Sequence, residues 1–198
     1  MTDDMLVRVL DSTDAAVGGG SAAALAAAMA AGLAGLVARL SVGRDLGLTD
    51  EQYLAAADET DNLGRSLLSG AQEDADAYGL IKAAYGLPRD GEGARAARQA
   101  AIEKALEVAA TVPLENAQRT LRVRELCARL EGASNPAAGS DLAAAALLAD
   151  AAARGCLLNV DVNAVLLPDS PAAAHLRRGA EAVATKLGRA TAPAQETT

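Results

Sequence analysis

Gly18-Gly-Gly-Ser-Ala-Ala-Ala-Leu-Ala-Ala-Ala-Met-Ala-Ala-Gly-Leu-Ala-Gly-Leu-Val-Ala-Arg-Leu-Ser41 decides the fold. From Ala15 to Ala38 the chain carries no charge, a run long enough to cross a bilayer. After Val17, however, its only larger side chains are Leu25, Met29, Leu33, Leu36 and Val37. So many Ala and Gly residues give a poor transfer energy into lipid. The run therefore predicts a helix over about Ala22–Ser41, buried in a tight bundle, with no membrane as partner. Ser21 reads as its N-cap, the preceding glycines free the backbone, and Gly43 stops the helix. The small residues Ala28, Gly32 and Gly35 predict close approach of a neighbouring helix.

The rest of the chain agrees. Of the 198 residues 51% are apolar and 2% aromatic, with no Phe or Trp, and Ala is abundant. Ala is the best helix former, whereas strands favour β-branched and aromatic residues. A short first helix ends near Asp11. Thr49 caps a long helix that runs to about Tyr85, where Gly86-Leu-Pro88 ends it. Another spans about Ala94–Leu130, with Pro113 expected to kink or divide it. After Glu131–Gly139 a helix starting at Gly139 or Ser140 reaches about Leu166, and a last one covers about Ala172–Leu187. No strand pattern and no fixed repeat is present. The expectation is an all-α fold: one domain over 1–190, a bundle of about six helices, and a flexible tail over 191–198. The segments 22–40 and 156–167 are apolar on most sides, which predicts dimerisation through these helices.

Net charge is −8, and no Lys/Arg stripe offsets it, so nucleic acid is not expected as a partner. Cys127 and Cys156 form no CxxC and His175 is the one histidine, too few ligands for a structural zinc site. The cysteines read as small buried hydrophobes of a reducing, cytoplasmic compartment. The acidic start, Met1-Thr-Asp-Asp-Met5, lacks the basic region of a signal peptide. A lone histidine near the C-terminus also argues against a Ser-His-Asp or Cys-His centre.

Four places could carry chemistry. Gly18, Gly19, Gly20 and Ser21 open a helix, where free amides and the dipole suit an anion; a tight turn with a Ser cap explains them equally well. Asp74, Tyr78 and Lys82 follow at i, i+4 spacing, as an acid–base group or as a solvated ladder. Asn135-Pro-Ala-Ala-Gly-Ser-Asp141 reads as a helix cap or as part of a site, through Asn135, Ser140 and Asp141. Asn159 and Asn163 interrupt an apolar helix. Buried amides need partners, so they either fix register or line a polar site.

These landmarks, in this order, resemble the cyclodeaminase/cyclohydrolase family. That family includes the C-terminal domain of formiminotransferase-cyclodeaminase and bacterial methenyltetrahydrofolate cyclohydrolases. The resemblance rests on Gly18–Leu25 with Val37-Ala-Arg-Leu40, Asp74-Ala-Asp-Ala-Tyr78 with Leu87-Pro-Arg89, and Arg98 with Ala101-Ile102. It continues through Val112-Pro-Leu-Glu115, Ser140-Asp-Leu142 and Asn159-Val-Asp-Val-Asn163, covering roughly 5–175. The chain departs from the family where Val17 stands for a usual proline and Arg89 for a frequent lysine.

The resemblance implies an all-α homodimer with a helix-lined folate pocket near the subunit interface, using no metal and no cofactor beyond the tetrahydrofolate substrate. Asp74, Asp141, Asn135 and Asn159 correspond to polar residues of that pocket, and Gly18–Ser21 to the family's glycine-rich turn. The implied chemistry is hydrolysis of 5,10-methenyltetrahydrofolate, or deamination of formimidoyltetrahydrofolate through a similar tetrahedral carbon. A non-catalytic scaffold relative, or an enzyme acting on another cyclic amidine, is the remaining alternative. Asp141 and Asp74 are the expected acid–base pair, with the two roles not divided between them, and Lys82 is a weaker candidate for proton transfer. Tyr78, Ser140 and Asn159 are expected against the substrate. Arg95, Arg98 or the glycine-turn amides are expected to meet its anionic glutamyl tail.

Overall fold

The computed structural model describes residues 2–190, and the expected tail over 191–198 lies outside them. Six α-helices follow one another: α1 Thr2–Leu10, α2 Gly19–Ser41, α3 Asp50–Tyr85, α4 Glu92–Leu130, α5 Gly139–Ala164 and α6 Pro171–Ala190. A single 3-10 turn, Pro136–Ala138, precedes α5, and no strand occurs among the described residues.

Helix α2, without charge as far as Ala38, is the axis of the bundle. It packs against α3, α4 and α5, while α6 closes over α4 and α5. Ala24, Ala27, Ala30, Ala31, Ala34, Val37 and Ala38 are buried, and their small size lets the neighbouring backbones approach. At Gly35 an added Cβ would stand 2.7 Å from Thr60 Oγ1. Gly32, by contrast, faces outward with nothing near it. Helices α2 and α5 are each long and apolar enough to cross a membrane by length and composition, yet more than half of the apolar window of α2 is covered by the rest of the bundle.

Local signals set most helix ends. Thr49 and Gln52 form a reciprocal capping box at the start of α3, satisfying two backbone amides at once. Gly132, at φ 70°, turns the chain after α4, a conformation that costs glycine little. Asn135 then ties this corner to α2. Its backbone N–H donates to Ser41 Oγ at 2.9 Å and its Nδ2 to the Leu40 carbonyl at 3.2 Å. Nearby, the hydroxyl of fully buried Tyr53 donates to the Ala133 carbonyl at 2.6 Å. Tyr53→Phe should cost about 1 kcal/mol and lower Tm by roughly 2–4 °C for a chain of this size, measured by thermal unfolding.

Two sequence expectations are corrected. Ser21 is not the N-cap of α2: Gly18 holds that position, and Ser21 lies inside the first turn with its hydroxyl turned to α3. Ser140 and Asp141 do not cap α5 either. Ala138 holds that position without a side-chain bond, and Asn135 caps the preceding turn through Ala137 N–H at 3.1 Å. Helix α4 runs undivided through Pro113.

Candidate active site

Three glycines and a serine, Gly18–Ser21, at the start of α2 meet α3. Ser21 Oγ donates to Asp74 Oδ2 at 2.9 Å, and the Ser21 backbone N–H also donates to this carboxylate. The anion at the N-terminus of α2 is thus the protein's own Asp74. Burial nevertheless dominates, and it raises the Asp74 carboxyl above its ordinary 3.8 despite these two bonds. Desolvation disfavours the charged form, so Asp74 holds its proton more tightly than an exposed aspartate.

Gly20 makes this contact possible. A Cβ there would overlap the Asp74 carboxylate, standing 2.7 Å from its Cγ. Next along the turn, a Cβ on Gly19 would lie 3.5 Å from Asn159 Nδ2. Asp74 from α3 and Asn159 from α5 therefore flank adjacent residues of one glycine turn. Gly20→Ala should displace the carboxylate by up to an ångström and reduce turnover by about tenfold to a hundredfold. Steady-state kinetics beside a circular-dichroism check of folding would measure this.

From the turn a slot of about 380 Å³ extends between α3 and α5, with α4 beneath. That volume lies within the range of small-molecule sites. Asp74, Tyr78, Ile81 and Tyr85 form one wall, and Asn159, Val162, Asn163 and Leu166 the other. Leu106 and Ala109 line it from α4, and Ala15, Ala16, Gly18 and Gly20 close the end at the turn. Beyond Tyr85 stands Arg98, its guanidinium 5.3 Å from the ring centroid and its Nη2 donating to the Tyr85 carbonyl at 3.3 Å. Two of the chain's three tyrosines line this slot. Asn159 Nδ2 donates to the Gly155 carbonyl at 2.9 Å, and Asn163 Nδ2 to the carbonyls of Ala109 and Asn159, each at 2.9 Å.

Of the residues singled out from sequence, the structure brings together Gly18, Gly19, Gly20, Ser21, Asp74, Tyr78 and Asn159. Lys82 is exposed and does not line the slot. At eight residues past Asp74 it has rotated about 80° off that face, and the wall continues through Ile81 and Tyr85 instead. Arg95 is exposed. Asn135, Ser140 and Asp141 lie at the other end of α5. Asp141 is 18 residues before Asn159, about 27 Å along the helix. Asn135 and Gly139 line a separate cavity with Arg124 and Cys127, where the Asn135 amide is spent on Leu40 and Ala137. His175 is exposed. Cys127 and Cys156 are buried free thiols, pushed up by burial to about 11 and about 12, so neither is a ready nucleophile. Sequence reasoning missed Tyr85 and left the role of Asn163 open. Tyr85 follows Tyr78 at i+7, a same-face spacing that was there to be read.

The formiminotransferase-cyclodeaminase family model matches residues 2–182. A methenyltetrahydrofolate cyclohydrolase of Methylorubrum extorquens is 33% identical over 86% of this chain and 83% of its own length. The formimidoyltransferase-cyclodeaminase of Sus scrofa is 31% identical over 87% of this chain, which spans about a third of that longer protein, 32%. A solved formiminotetrahydrofolate cyclodeaminase from Thermotoga maritima shares the fold, with TM-score 0.82 and 20% identity over 93% of this chain and 89% of its own. On sequence and architecture together, the chain belongs to the formiminotransferase-cyclodeaminase family.

Proposed function

We propose that the chain is a methenyltetrahydrofolate cyclohydrolase that works as a cytoplasmic homodimer. The observation that carries this reading is Asp74, a half-buried carboxylate with a raised pKa at the closed end of a slot lined by two tyrosines and two asparagines. The methenyl bridge is an amidinium carbon between two nitrogens. A carboxylate beside it stabilises the cation, orients water and takes the proton as water adds. A base with a pKa moved toward neutrality suits that task. The resulting tetrahedral carbon loses one nitrogen, which leaves protonated.

Asp74 to Tyr85 spans about 16 Å along α3. An extended folate would lie with its reacting ring at the glycine turn and its aryl arm along Tyr78 and Tyr85. Its glutamyl carboxylates would then reach Arg98.

Asp141 enters this reading from a second protomer. Eighteen residues are five helical turns, so Asp141 and Asn159 lie on one face of α5. That helix also exposes Leu147, Leu158 and Val162, Val165 just beyond its end is exposed too, and the adjacent α2 exposes Met29, Leu36 and Leu40. An apolar surface of this kind favours a protein contact. A two-fold axis crossing α5 near residue 150 would set Asp141 of the partner subunit beside Asn159. Asp141 would then donate the proton to the leaving nitrogen, with Asn135 and Ser140 supporting that end.

The test is optical assay of methenyltetrahydrofolate hydrolysis against a buffer control and Asp74→Asn. Acceleration by wild type alone supports the reading. Absence of acceleration, with activity on formimidoyltetrahydrofolate instead, would replace it by the cyclodeaminase. Mixing inactive Asp74→Asn and Asp141→Asn proteins tests the shared site. Random exchange into two-fold dimers should restore about a quarter of the wild-type sites, whereas sites confined to one chain would stay inactive.

A further inference from the structure

We infer that Asn159 and Asn163 form an acceptor wall that selects the substrate's head group by its N–H donors; this rests on the folate reading above. The hydrogen bonds fix how each amide is turned. Asn159 Nδ2 faces the Gly155 carbonyl, and Asn163 Nδ2 faces two carbonyls, those of Ala109 and Asn159. A carbonyl accepts and cannot donate, so neither amide can be reversed. Both Oδ1 atoms are thereby left as the free ends. Neither has a protein partner among the described residues, and both residues line the slot. Neither oxygen is a fully buried atom without a partner, so both remain open to contact from outside the protein.

The surroundings sharpen the demand. The Asp74 carboxylate also accepts, and its nearest donors come from Ser21. Apart from the tyrosine hydroxyls, the remaining lining of these walls is apolar: Ile81, Leu106, Val162 and Leu166. A ligand satisfies two acceptors beside a carboxylate by presenting N–H groups. The 2-amino-pyrimidinone ring of a reduced folate has several, on its ring nitrogens and its exocyclic amine. A head group with a carbon substituent in place of that amine leaves an acceptor unpaired, and such mismatches discriminate strongly.

The experiment compares methenyltetrahydrofolate with the analogue carrying a methyl group in place of the ring 2-amino group, by steady-state kinetics. Wild type should show a KM at least about tenfold higher for the analogue. Asn159→Ala should raise KM for the parent more than it changes kcat and compress the preference toward unity. Asn163→Ala strips the Ala109 carbonyl of a donor, so it is examined in Pro113→Ala, where a restored backbone N–H replaces that donor. The double variant should lose preference while Pro113→Ala alone retains it. A wild type indifferent to the methyl group, or a preference surviving in both asparagine variants, would overturn the inference and leave the hydrolase reading intact. No turnover of either compound by wild type would remove the hydrolase reading and this inference together.

Discussion

Asp74→Asn should lower kcat for methenyltetrahydrofolate hydrolysis by about 10²–10⁴-fold, the usual contribution of a positioned base, without destabilising the fold near neutral pH. The two halves of this expectation have one cause. Burial against α2 raises the Asp74 carboxyl above its ordinary 3.8, even with two bonds from Ser21 holding its charge. With a native pKa above the unfolded one, the native state binds more protons between the two values. Stability is then fully present below the unfolded pKa and is lost as pH rises through the native one. At neutral pH wild type carries the cost of a desolvated charge. Asparagine fills the same space, can accept from the Ser21 N–H, and can donate to a reoriented Ser21 hydroxyl.

The difference in unfolding free energy, variant minus wild type, should therefore grow as pH rises through the native pKa of Asp74. Denaturant unfolding at several pH values would measure it. The wild-type log(kcat/KM) should rise with pH to a plateau, with its midpoint above 3.8. An inactive variant that is also much less stable at neutral pH would mean that Asp74 chiefly holds the glycine turn. A fully active variant would remove Asp74 from the chemistry.

The fold was legible because its strongest signals are local. An uncharged Ala/Gly run surrounded by amphipathic helices leaves little choice except a bundle with that run at its centre. Thr49 with Gln52 is a capping box visible in four residues. Ser21 shows where locality ends. It sits where an N-cap serine belongs, but its hydroxyl bonds Asp74, 53 residues away, and nothing near Ser21 predicts that. Pro113 is a similar case: the donor that lets α4 pass through it comes from α5. Asp141 marks a different limit. Placing it and Asn159 on one continuous helix already implied a separation of about 27 Å within one chain, so only a second protomer can bring the two to one pocket. Lys82 likewise followed an i, i+4 ladder one step past Tyr78, the last rung that a 3.6-residue period keeps on the slot face.

The coupling between Pro113 and Asn163 should be the largest stability effect outside the apolar core, and a double-mutant cycle isolates it. Proline lacks the N–H that would bond the carbonyl four residues back, and its ring crowds that carbonyl. In α4 that carbonyl belongs to Ala109, and Asn163 Nδ2 donates to it at 2.9 Å from α5. Ala109 and Pro113 are both buried, so water cannot easily replace the donor. Asn163→Ala should therefore cost about 1–3 kcal/mol, the penalty for stranding a buried acceptor, or roughly 2–4 °C in Tm per kcal/mol. In Pro113→Ala the helix supplies its own donor, so the same asparagine substitution should cost markedly less. A coupling of about 1 kcal/mol or more is expected from the cycle, within the range for residues sharing one hydrogen-bond network. Strict additivity would mean that the Ala109 carbonyl finds another partner when Asn163 is lost. A positive coupling would show that an apparent helix breaker is matched by an asparagine on the facing helix. The same asparagine would then be locked in the orientation that turns its oxygen toward the substrate.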